Sequence, residues 1–95
     1  EERMKPIERS SSNTDKAFWR LADVVDRELL RAQEHYPTFT SAHEGYAILL
    51  EEVDELWEEV KKSPKNRDMK AMREEAIQVA AMAMRFVLDV CDEDV

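Results

Sequence analysis

Ninety-five residues carry 22 acidic and 14 basic side chains, a formal charge of −8, with one glycine, three prolines and one cysteine. That length suits one domain, and so few glycines and prolines exclude a turn-rich β fold. The acidic balance argues against a nucleic-acid surface, and no apolar run reaches the roughly eighteen residues of a membrane-spanning helix.

The chain opens on a charged, serine-rich stretch with Pro6, residues 1–13, which reads either as loosely ordered or as an arm onto a partner subunit. Residues 14–95 form the helical domain. It lacks a hydrophobic signal segment, and its lone Cys91 rules out an internal disulfide and suits a reducing cytoplasm. Ser12 to Asp15 offers helix-capping side chains. Helix one is expected from about Asp15 to Tyr36, with Phe18, Leu21, Ala22, Val25, Leu29, Ala32 and Tyr36 along its apolar stripe, and Pro37 ends it.

Ser41 precedes Glu44 by three residues, the spacing of a capping box for helix two. Gly45 costs that helix about 1 kcal/mol of propensity relative to alanine, which a close backbone approach would explain, although nothing in the sequence shows one. At about 100° of turn per residue, Tyr46, Leu49, Val53, Leu56, Trp57 and Val60 fall on one stripe. Glu52, Glu55 and Glu59 lie along its margin, while Glu51, Asp54 and Glu58 fall opposite. Helix two is expected to end near Lys62, where Lys61 and Lys62 suit the negative end of the helix dipole. Ser63-Pro64-Lys65-Asn66 then makes a hairpin that sets helix three antiparallel to helix two.

Helix three, from about Arg67 into the acidic tail, places Met72, Val79, Ala83, Phe86 and Val90 on its main stripe, flanked by Glu75 and Gln78. Ile77, Ala80, Met84, Leu88 and Cys91 extend its apolar surface over more than half its circumference. A helix apolar nearly all round is a buried one, and two neighbours from the same chain do not cover it. The expected architecture is therefore all-α, a three-helix protomer that completes a helical bundle as a homodimer or higher homo-oligomer.

Glu52 and Glu55 share a helix face at a core edge, where like charges repel and lose hydration. Antiparallel packing brings Glu75 and Gln78 towards them, and a set of oxygen-only ligands suits a hard cation, Mg²⁺ or Mn²⁺. Glu52-Val53-Asp54-Glu55, a spacer of nineteen residues (56 to 74), then Glu75-Ala76-Ile77-Gln78 resembles the paired Glu-x-x-Glu and Glu-x-x-Asp motifs of the MazG family. Gln78 stands at the family's aspartate position. The resemblance covers helices two and three, about half the chain. It implies an all-α nucleoside triphosphate pyrophosphohydrolase, related to the dimeric dUTP and dCTP pyrophosphatases, that releases a monophosphate and pyrophosphate. It also implies Glu52, Glu55 and Glu75 as metal ligands, with Gln78 a weaker fourth.

No glycine-rich phosphate loop is present, so phosphates fall to metal ions and to Lys61, Lys65, Arg73 or Arg85. Trp57 and Tyr46 offer faces to a base, although a tryptophan at core spacing packs first. Trp57 and Lys61 stand as the candidate substrate-binding side chains. His35 and His43 read as surface histidines, and Trp19 as an interface residue. The competing reading is a catalytically impaired helical dimer, kept as a binding or regulatory module for a basic partner.

Overall fold

The protein was analysed as a computed structural model that describes residues 13–92. Three long helices account for the fold: α1 (Asn13–His35), α2 (Ala42–Val60) and α3 (Met69–Phe86). The expected serine cap at residue 12, most of the N-terminal arm and the end of the acidic tail lie outside the described residues. No helix among the described residues is long and apolar enough to cross a membrane.

Pro37 excludes helical backbone at the residue before it. The regular part of α1 stops at His35, though the Tyr36 amide still donates to the Ala32 carbonyl at 2.9 Å. The capping box at α2 forms with one change of partner. Ser41 Oγ accepts from the Glu44 amide at 3.0 Å, and the Glu44 carboxylate reaches back one residue further than expected, to the amide of Thr40 at 2.7 Å. At the other end of α2, Arg67 turns back and donates twice to the Val60 carbonyl, at 3.0 and 2.8 Å. That fork satisfies a helix-terminal acceptor and pins the short 3₁₀ turn Pro64–Asn66 under the hairpin. α3 begins at Met69, with Asp68 as its cap accepting from the Lys70 and Ala71 amides. Past Phe86 it widens into a π-helical turn, Val87–Cys91, closed by the Asp92 amide on the Val87 carbonyl at 2.9 Å.

α3 is the central helix. α1 and α2 both pack on it and make little contact with each other. Val25 and Leu29 of α1 meet Ile77 and Ala81 of α3 in one cluster. Ala32, Phe39 and Met82 form a second, against which Ile48, Leu49 and Phe86 pack. Gly45 explains itself here: a Cβ at that position would stand 2.8 Å from Phe86 Cδ2 and 3.0 Å from Phe39 Cδ2. The α1–α2 connection is therefore seated by an aromatic pair pressed onto bare helix backbone.

Arg85 fixes the same connection. It is the buried charge of this core, 4 % exposed. Its guanidinium donates to the Pro37 carbonyl, lies 4.1 Å over the Phe39 ring and sits 3.4 Å from Asp89. Asp89 in turn accepts from the Phe39 amide at 3.2 Å.

The helix stripes differ from expectation. On α2, Leu49, Leu56 and Val60 are half-buried as expected and are joined by Gly45 and Ile48, whereas Tyr46, Val53 and Trp57 point outward at 60, 40 and 56 % exposure. On α3, Ala83 is exposed, and the most buried residues are Ile77, Ala81, Met82 and Arg85. On α1, Phe18, Leu21 and Tyr36 are exposed while Val25, Leu29 and Ala32 hold the core. The chain thus buries one side of each outer helix and leaves much apolar surface uncovered. Trp19, expected at an interface, is 57 % exposed and meets Phe18 edge to face.

Candidate metal centre and the adjoining cleft

Helical spacing puts Glu52 and Glu55 one turn apart on α2, and the antiparallel hairpin carries Glu75 of α3 up to them. One carboxylate oxygen from each lies within 4.8 Å of the others. Two oxygens on opposite sides of a Mg²⁺ ion stand about 4.2 Å apart, so small side-chain rotations close the set onto an ion. Glu52 and Glu75 are half-buried and Glu55 is exposed, which leaves the group open on one side.

Two observations test whether these residues fit a cation. Glu75 Oε2 is buried and has no hydrogen-bond partner, a costly state for a carboxylate oxygen. Among the described residues, moreover, no lysine or arginine pairs with any of the three glutamates. Lys61 pairs with Glu58, Lys62 with Glu59 and Lys70 with Glu74.

The electrostatics follow. Burial, then the charge of Glu55 and a hydrogen bond shared with it, pushes the Glu75 carboxyl above its ordinary value. Burial, then Glu55 and Glu75, pushes Glu52 up in the same direction. A divalent ion among them would reverse both effects, and an all-oxygen donor set is the right chemistry for Mg²⁺ or Mn²⁺.

Gln78, half-buried on α3, lines the same cleft as Glu52. Glu28 of α1 lines it too and accepts from Arg31 at 2.7 Å. Arg31 and then Gln78 hold the Glu28 carboxyl below its ordinary range. Glu28 carried no signal in the sequence beyond an ordinary i, i+3 pair with Arg31. Its role becomes visible only when α1 and α3 are packed.

Glu28, Gln78 and Glu52 all line a cleft of about 460 Å³ between α1 and α2, floored by α3. Tyr36, Phe39, Ile48 and Met82 supply its apolar lining, and Glu44 and Glu51 join the two acids already named. Against these four carboxylates stand Arg31 and Arg85, both already paired. Glu52 belongs to both the carboxylate trio and the cleft wall. Trp57 and Lys61 lie away from the cleft, Trp57 on the outward face of α2 and Lys61 bonded to Glu58. Lys65 and Arg73 are likewise exposed and outside the cleft lining.

No protein-family model, curated protein or solved structure matches this chain.

Proposed function

We propose that the protein is a metal-dependent nucleoside triphosphate pyrophosphohydrolase, in keeping with its resemblance to the MazG family. The observation that carries the reading is the convergence of Glu52, Glu55 and Glu75 around the unpartnered Glu75 oxygen. Magnesium ions held there would neutralise phosphate oxygens and acidify a water. The chain's own residues do the rest. The trio orients the polyphosphate at the cleft wall through Glu52, and the apolar floor and Tyr36 take the nucleoside. The surplus of carboxylates in the cleft repels a bare triphosphate, so binding is obligatorily linked to the cation.

With Mg²⁺, purified protein releases pyrophosphate from at least one nucleoside triphosphate, and Glu55→Ala abolishes that release. Mg²⁺ or Mn²⁺ also raises the melting temperature of the wild type by mass action, and the rise is lost in the same variant. A panel of triphosphates that gives no metal-dependent product removes the enzyme reading.

One observation favours the second reading, a binding or regulatory module without turnover. Gln78 brings no charge, so the site holds three carboxylates where the family motif has four. That reading predicts a metal-dependent melting shift with no product.

The assembly belongs to the same proposal. Tyr46, Leu50, Val53 and Trp57 follow one another at spacings of four, three and four along the outer face of α2, each at least 40 % exposed. That is the seam of a helix that packs against another helix. A second copy laid antiparallel would set Tyr46 beside the partner's Trp57 and complete a dimer.

A further inference from the structure

We propose that Glu28 selects the base: held on the α1 wall of the cleft by Arg31, its carboxylate accepts a hydrogen bond from the exocyclic amino group of the nucleotide. The inference rests on the nucleotide reading above and names the substrate class within it, nucleotides of amino-bearing bases.

The argument begins with valence. An ionised carboxylate is acceptor-only and offers about four lone-pair positions. Arg31 takes one at 2.7 Å. The remainder are free to meet a donor in the cleft that Glu28 lines. Arg31, one turn along the same helix, holds this group in place. An acceptor positioned in advance recognises a donor at low entropic cost.

The cleft has a direction. Glu52, its link to the carboxylate trio, stands on the α2 wall and feels the charge of Glu28 on the α1 wall. Phosphates drawn to the trio leave the base to lie across Met82 and Ile48 towards α1. A volume of about 460 Å³ is within the range of small-molecule sites, roughly 300–1,000 Å³. Carboxylates pair with the amino group of cytosine for the reason that applies here. Uracil presents a carbonyl at the same place, so lone pairs face lone pairs. The same contrast separates adenine from hypoxanthine.

The test is calorimetric titration, in Mg²⁺, with two isosteric pairs of monophosphates, dCMP against dUMP and AMP against IMP. The amino-bearing member of each pair is expected to bind about tenfold tighter or more. Glu28→Gln, whose amide can donate to a carbonyl, brings the ratio to one or inverts it. Arg31→Ala removes an exposed side chain and leaves Glu28 unheld, so it lowers the ratio even if Glu28→Gln does not fold. Equal affinities within each pair, or a ratio unchanged in both variants, overturns the proposal, as does the absence of any binding. Base-blind pyrophosphate release overturns it while leaving the hydrolase intact. A preference for dCMP and AMP without any hydrolysis retains Glu28 as selector and discards the catalytic reading.

Discussion

Glu75 shows how much a single oxygen can decide. Its Oε2 is buried without a donor, and its neighbours are carboxylates. With metal removed, the folded state therefore holds protons more tightly at Glu75 and Glu52 than the unfolded chain does, whose value is 4.5. A carboxyl raised in the native state contributes stability that is full below the unfolded value and lost as pH rises through the folded one. Metal-free protein should thus melt at a higher temperature as pH falls from neutrality towards about 4.5, and saturating Mg²⁺ should flatten that slope; a thermal melt series with chelator and with Mg²⁺ reads both. Glu28, whose value is lowered, acts in the opposite sense and only below that window. The trio was legible in the sequence because a three-residue step on one helix and an antiparallel hairpin are enough to bring such groups together. Glu28 was not, because a glutamate three residues before an arginine is ordinary on any helix, and its meaning depends on which face of α1 meets Gln78.

At the scale of elements, α2 is a helix with two apolar faces. Its outward face carries the large residues Tyr46, Leu50, Val53 and Trp57, and its inward face carries Gly45, Ile48, Leu49, Leu56 and the charged Glu52. Hydrophobicity alone favours the outward set as the core, which is why periodicity located the helix and chose the wrong side for part of it. The same logic misled on α3, where the arginine at 85 is core and Ala83 is surface. Helix ends were better encoded, since the Ser41 cap and the Pro37 stop are local chemistry. Gly45 offers the sharpest test of the packing. Alanine would gain about 1 kcal/mol of helix propensity, but its methyl group would meet the Phe86 and Phe39 rings at 2.8 and 3.0 Å. Overpacking of that kind costs about 1–3 kcal/mol, so Gly45→Ala should be destabilised by about 1 kcal/mol net, measured by denaturant unfolding. A more stable variant would mean that the rings are loosely seated.

At the scale of the molecule, the exposed apolar surface bears on assembly. Four large apolar residues on α2, those of the proposed seam, face outward, and Met84, Val87 and Leu88 of the third helix are also at least 45 % exposed. A charge in the seam should separate two copies without touching the protomer's own core, because Val53 packs on neither buried cluster. Val53→Glu is expected to sediment as a monomer with unchanged helical content, against a dimeric wild type. Equal sedimentation of the two proteins would move the interface elsewhere. That the chain is all-α and three-helical was plain from composition and spacing. How the helices lean on one another was not, since it depends on long-range contacts such as Arg85 with Pro37.

The central position of α3 has a mechanical outcome. The first two helices are wings on a common spine, joined to each other by a six-residue strap, 36–41, and by little else. The gap between them is floored by α3 and not closed by direct packing of the two wings. A small molecule bridging Glu28 and Glu52 would act as the missing tie-beam, adding stiffness that the polypeptide itself leaves out.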